Sequence, residues 1–218
     1  GEPPVVALSV HGVTILEAVA SLCKAHGWGI SLSADMEGGH TLTIDATGPD
    51  ACPGLNPFRS VTPDRRALVA STLLATMRKL WPDFWGPRLE HVARHVFLAL
   101  MEVRGATLLD AQKMLVDETH RRWVLKQVTD GLVRQFWALE FGGYDKRFAA
   151  EVTAPILNKL GALLASPVVR AVVNKRKRQL DPRAIMDRGR VLLAKLPKGQ
   201  IGEDAALLLG VIAGYDDK

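Results

Sequence analysis

The sequence predicts an α/β protein interrupted by a large helical block, mostly α overall. Three observations predict it. Short apolar runs of β type stand near both ends, at 5–10 (VVALSV), 41–45 (TLTID) and 191–196. A stretch rich in Gly, Pro, Asp and Asn at 47–63 breaks the chain. Beyond it, roughly 110 residues repeat their apolar positions at helical spacing. A helical block bracketed by α/β pieces reads as an insertion into a sheet domain. The expected boundaries are 1–58 for the first α/β piece, 59–188 for the inserted helices and 189–218 for the returning strand and helix.

The elements follow in order. After the run at 5–10, Thr14 caps a helix over about 15–25, where Ile15, Val19 and Leu22 share a face. Gly27 and Gly29 stop it, and strands at 30–33 and 41–45 flank Gly38 and Gly39. Thr62 caps a helix over about 63–80 with Pro63 in its first position and Leu73, Met77 and Leu80 inward. Pro87 opens the next helix, where Val92, Val96, Leu100 and Val103 recur at i, i+4, i+8 and i+11, and Gly105 ends it. Thr107 caps a short helix over 108–116. Helices over about 118–129 and 131–141 carry Trp123, Phe136 and Trp137, the two tryptophans as core, before Gly142 and Gly143 break the pattern. A long helix over 145–165 turns Val152, Ile156, Leu160 and Leu163 inward, with a kink or boundary expected at Pro155. Ser166 and Pro167 start another helix. The strand at 191–196 leads through a tight turn, Lys198 to Gly202, into a helix over 203–213 with Ala205, Leu208, Leu209 and Ile212 inward.

Composition narrows the class. A hydrophobic share of 48% and a mean hydropathy of +0.08 fit a soluble globular chain with its own core. No run of about 18 apolar residues occurs, so membrane insertion is not expected. The start, Gly1-Glu2-Pro3-Pro4, shows no signal-peptide pattern, and its lack of Met points to a partial chain. Cys23 and Cys52 stand far apart and read as free thiols of a reducing cytoplasm. A cytoplasmic location is expected, with a place at the inner face of a membrane left open.

The charge is uneven. Residues 1–109 hold 9 Lys or Arg against 10 Asp or Glu, and residues 110–218 hold 19 against 13, so the net +5 belongs to the second half. The densest cationic region comprises Lys175, Arg176, Lys177 and Arg178, with Arg170, Arg183, Arg188 and Arg190 nearby. Such a patch neutralises backbone phosphates and gives sequence-independent, salt-sensitive affinity for nucleic acid. Arg121, Arg122, Lys126 and Arg134 add positive charge, and no base-reading constellation accompanies them. His91 and His95 stand at i and i+4, but the segment between them carries Arg94 and no HExxH glutamate, so they read as a surface or core pair rather than a metal site. No nucleophile set and no catalytic residue can be assigned.

Several fragments, in order, carry a family likeness. Gly54-Leu55-Asn56-Pro57-Phe58 resembles a GLNP element. The segment from Trp85 to Glu90 (WGPRLE) resembles a W-x-P-R-x-E helix start, and Pro155 to Leu160 (PILNKL) a third element. The run DRGRVLL from Asp187 to Leu193 resembles a strand leading out of a helical domain, and Gly199, Gly202, Glu203 and Asp204 resemble the turn after it. Over about residues 45–214 the chain thus resembles the conjugative-transfer coupling proteins and their HerA-like relatives. The resemblance implies a partial RecA-like sheet with an inserted all-helical domain that faces DNA. It further implies a homo-hexamer in a type IV secretion complex, with ATP and Mg as cofactors of the full-length family. The chain departs from that pattern. It has no GxxxxGK[ST] loop and no apolar strand ending in Asp-Glu, and Ser9-Val10-His11-Gly12 stands where relatives show Asp-Pro-His-Gly. No cofactor is therefore expected in this chain, which alone should hydrolyse nothing. Residues 5–45 also resemble the small β-α-β-β modules of secretins. Two alternative functions follow, a non-enzymatic helical module that docks a protein partner and a secretin-like gate fragment.

Overall fold

Pro87 opens the helix around which the central part of the protein is built. In the computed structural model the described residues are 5–8, 32–33, 41–45, 54–59, 61–82, 85–177, 191–195 and 198–212. They are predominantly helical and fall into two compact units. One is the continuous segment Asn56–Ala165. The other is assembled from both ends of the chain, Gly1–Leu55 together with Ser166–Lys218.

The continuous unit is all helical. A 3-10 turn, Pro63–Arg65, leads into α1 (Arg66–Leu80). Thr62 occupies the N-cap position with extended backbone, but its side chain makes no cap bond, contrary to expectation. The Thr62 carbonyl instead accepts from Arg65 N at 2.9 Å, which closes the first turn as 3-10. The second helix, α2 (Pro87–Met101), packs against α1 and the helices that follow, and its buried face includes Val92, Val96, Phe97 and Leu100. It stops two residues short of Val103, after which Gly105 takes φ 77°, a left-handed conformation that suits glycine.

α3 (Leu108–Val116) begins as expected at Thr107, which forms a capping box with Asp110. α4 (Glu118–Leu125) is capped by Asp117, whose Oδ1 accepts from Thr119 N at 2.8 Å and His120 N at 3.1 Å. α5 (Gly131–Gln135) is capped in the same way by Asp130. It continues as a single π turn, Phe136–Glu140, and a 3-10 turn, Phe141–Gly143. The helix expected over 118–129 thus ends at Leu125, where Gln127 N turns to Val124 O at 2.9 Å, and the one expected over 131–141 stays α only to Gln135, where the π turn begins.

α6 (Lys146–Ala165) runs unbroken through Pro155, which supplies no N–H to the carbonyl four residues back. Val152, Ile156, Leu160 and Leu163 are buried as the periodicity predicts. Among the described residues it is the helix long and apolar enough, by length and composition only, to cross a membrane, yet this face lies in the core of the unit.

In the discontinuous unit, α7 (Pro167–Val173) starts at Ser166, whose Oγ accepts from Val169 N at 3.4 Å. Val169, Val172 and Val173 are buried, and Leu55 N donates to Val172 O at 3.0 Å. Four short strands, β1 (Val5–Leu8), β2 (Leu32–Ser33), β3 (Thr41–Asp45) and β4 (Val191–Lys195), form a sheet of order β1-β4-β3-β2. β3 and β4 run parallel, while β1 with β4 and β2 with β3 run antiparallel. A mixed sheet of this size is not by itself a RecA-like sheet. A short helix, α8 (Lys198–Ile201), replaces the simple turn expected there, and α9 (Glu203–Ile212) follows. Gly202, at φ 88°, joins them. Its N–H donates to Lys198 O at 2.9 Å and its carbonyl accepts from Ala206 N at 3.1 Å.

The split between the units falls after Ala165, not after residue 188, because α7 groups with the chain ends. The helix expected over 15–25 lies outside the described residues.

Candidate functional site

The sequence places its nucleic-acid candidates at the end of α7. Arg170 is exposed on the helix, Lys175 is half-buried, and Arg176 and Lys177 are exposed just beyond it. Asn174 terminates the helix with its backbone N–H and Nδ2 both donating to the Arg170 carbonyl, at 3.3 and 3.1 Å. The helix end thereby gathers four cationic residues within one short segment of the discontinuous unit. Cations at a helix C-terminus also oppose the negative end of its dipole. Arg178, Arg183, Arg188 and Arg190 lie outside the described residues.

Two of the additional cations serve the helical unit itself. Arg121 Nη1 donates to Met114 O at 2.9 Å, closing the end of α3, and the guanidinium stands 5.1 Å from the Phe141 ring centroid. Burial chiefly lowers its pKa. Arg122 pairs with Glu118 one turn back. Lys126 and Arg134 are exposed. Trp137 is buried, but Trp123 is 50% exposed and not core, because α4 turns its neighbour Val124 inward instead.

A second cluster was only partly visible in the sequence. The π turn widens the helix so that Phe136 faces α2 while Glu140 reaches His91. The His95 ring stacks on Phe136 with centroids 3.9 Å apart and planes at 16°. His91 meets Phe136 edge-on at 5.0 Å. His91 Nε2 lies 3.1 Å from the Glu140 carboxylate, and the Tyr144 hydroxyl donates to Glu140 Oε1 at 2.8 Å. Burial resists ionisation of Glu140, but the bonds from Tyr144 and His91 outweigh it, so its pKa is lowered. His95 Nδ1 donates to the His91 carbonyl at 2.8 Å. Burial chiefly lowers the pKa of His95. Both histidines are thus committed to local partners. Among the described residues no group of three or more His, Cys, Asp or Glu could hold a metal.

Two open pockets flank this cluster. One, of about 430 Å³, is lined by Arg88, His91, Glu140, Tyr144 and Phe148. The other, of about 450 Å³, lies at the start of α2 beside Trp85 and Glu90. No family model, curated protein or solved structure matches the chain.

The WGPRLE segment has a local structural role. Gly86 and Pro87 start α2, and Trp85 Nε1 donates to Glu90 Oε2 at 2.8 Å, tying the entering loop to the first turn. In the GLNPF segment, Asn56 Oδ1 accepts from Phe58 N at 3.1 Å while its Nδ2 donates to Ala106 O at 2.6 Å. Phe58 then packs against Phe97 with centroids 5.7 Å apart. These contacts give the two motifs a folding role whatever else they do.

Proposed function

We propose that this chain is a section of a DNA-translocating ATPase of the conjugative or type IV secretion kind, and that it contributes non-specific DNA binding. One observation carries the reading: both ends of the chain enter one compact unit, with the helical unit as a single continuous excursion between them. The parallel pairing of β3 with β4 across that excursion supports it. This is the connectivity expected of helices spliced into a motor sheet of RecA type. The cationic end of α7 supplies the DNA contact, with Arg170, Lys175, Arg176 and Lys177 neutralising phosphates. The chain itself supplies no catalysis. The 218 residues hold no GxxxxGK[ST] segment, so ATP and Mg belong to the longer assembly, a cytoplasmic homo-oligomer at a secretion complex.

A duplex-binding titration tests the reading. A steep loss of affinity with rising salt supports it, and binding that is absent or indifferent to salt overturns it. Magnesium-dependent ATP turnover by the isolated chain would contradict the assignment of catalysis elsewhere.

A second reading, a helical module that docks a protein partner, is favoured by a different observation. Trp123, Leu132 and Leu139 are 50%, 75% and 71% exposed on α4, α5 and the π turn. Exposed apolar side chains of this size mark interaction surfaces when they are contiguous. A partner held by them would bind with little salt dependence.

A further inference from the structure

Arg78, in the last turn of α1, and Arg94, on α2, line one open groove of about 450 Å³ together with Trp85, Glu90 and His91. Glu90 organises it. Its Oε2 accepts from Trp85 Nε1 at 2.8 Å and its Oε1 accepts from Arg94 Nη2 at 3.0 Å. Arg94 also donates through Nη1 to Ser71 Oγ at 2.9 Å. The indole and one guanidinium are therefore fixed before anything binds, which removes part of the ordering cost of association. Arg78 is held more loosely. Its Nη1 stands 3.9 Å from Glu90 Oε2 and its side chain is 61% exposed. The hydrogen bond from Trp85 first, then the bond from Arg94 and the positive charges of Arg94 and Arg78, lower the Glu90 pKa against the opposing effect of partial burial. Two guanidiniums face one carboxylate, which leaves the groove with a surplus positive charge beside a half-buried aromatic ring.

Guanidinium forks suit phosphate oxygens, and an aromatic face suits a nucleobase of any sequence. We propose that this groove takes one nucleotide unit, its phosphate on Arg78 and Arg94 and its base against Trp85. The same chemistry is offered by a single strand and by a free nucleotide. The site lies in the helical unit, uses none of the α7 cations, and does not depend on the motor reading.

The test uses the whole chain and its tryptophan fluorescence, with a short oligothymidylate, thymidine monophosphate and inorganic phosphate as probes. Oligothymidylate should quench the emission. Trp85→Phe should remove that quenching, and Arg78→Ala should weaken binding by about tenfold. Because Trp85→Phe loses the bond to Glu90, Arg78→Ala, on an exposed side chain, gives the independent readout. Equal quenching by thymidine monophosphate assigns the site to a free nucleotide, and quenching by the oligomer alone assigns it to a strand. Unchanged binding in both variants overturns the proposal. So does inorganic phosphate that competes as tightly as the nucleotide, since the base then adds nothing. A variant with Lys175, Arg176 and Lys177 all replaced by Ala should keep this quenching even where duplex binding is lost, which separates failure of this site from failure of the motor reading.

Discussion

Glu102 reaches across 27 positions to hold Thr129, accepting from its backbone N–H at 2.8 Å and from its hydroxyl. The same carboxylate accepts from Asp130 N at 3.3 Å and pairs with Arg66 Nη1 at 3.3 Å. Its side chain is only 3% exposed. One buried carboxylate thus joins the end of α2, the start of α1 and the loop before α5. Removing it leaves the largely buried Arg66 guanidinium without this partner, while the exposed Thr129 and Asp130 turn their donors to water. Glu102→Ala should cost about 3 kcal/mol, while Glu102→Gln, which keeps an acceptor, should cost less. Urea denaturation midpoints at constant m-value check this. Equal effects of the two variants would contradict it.

His95 predicts an acid-side weakness. Burial lowers its pKa first, and the nearby positive charges of His91 and Arg94 act in the same direction. The His91 carbonyl and Glu140 pull the other way without prevailing. A lowered pKa means the unfolded chain binds the proton better. Its contribution is therefore present above the ordinary value of 6.5 and is lost as pH falls below it. The native chain should lose stability between about pH 7 and about pH 5 more steeply than His95→Gln does. Parallel melting curves for both proteins over that range would expose the difference.

Tyr144 carries the alkaline counterpart. Burial and the hydrogen bond to Glu140 push its pKa up from 10.0 to about 12. Its contribution is present below 10.0 and lost as pH rises through about 12. Glu140→Gln removes the neighbouring negative charge and should bring the phenol part of the way back. The chain holds two tyrosines, Tyr144 and Tyr215, so tyrosinate absorbance with Tyr144→Phe subtracted isolates the shift.

These sites differ in how far the sequence announced them. The Thr107 cap, the Pro87 start and the inward stripe of Val152, Ile156 and Leu160 were legible, because each follows from local chemistry or period. The mostly helical character followed from the same stripes. The π turn at Phe136–Glu140 was not legible, since no local pattern marks its extra residue per turn, and its packing partner His95 is distant in sequence. Trp123 departs from the expected burial because size and apolarity favour burial on average, while the register of α4 decides it locally. The Glu102 bridge joins residues far apart in sequence, and nothing in the local pattern of either end marks it. The contact division after Ala165 differs from the expected boundary at 188, since α7 keeps a helical period while its buried valines group with the chain ends.

Pro155 sits well inside α6 without ending it. It removes one backbone donor and crowds the preceding turn, a cost that packing of Val152, Ile156 and Leu160 offsets. Pro155→Ala should restore the missing bond and stabilise the unit by roughly 1 to 2 kcal/mol, since the greater freedom of the unfolded chain recovers part of the gain for the unfolded state. A rise in the denaturation midpoint checks this. A fall would mean that the proline ring itself fills space that alanine leaves empty.

The cationic end of α7 makes the last prediction, and a slope tests it better than an affinity. Each phosphate neutralised by a Lys or Arg contributes about 0.9 to the fall of log K with log salt on duplex DNA. Replacing Lys175, Arg176 and Lys177 by Ala should therefore lower the magnitude of that slope by up to about 2.7. Affinity should weaken alike for unrelated duplex sequences, because phosphate contacts carry no base information. Anisotropy of a labelled duplex from about 50 to about 200 mM salt resolves the slope. A variant that binds more weakly with the same slope would place the lost contacts somewhere other than the phosphates, and a sequence-dependent loss would point to a base contact that this segment is not built to make.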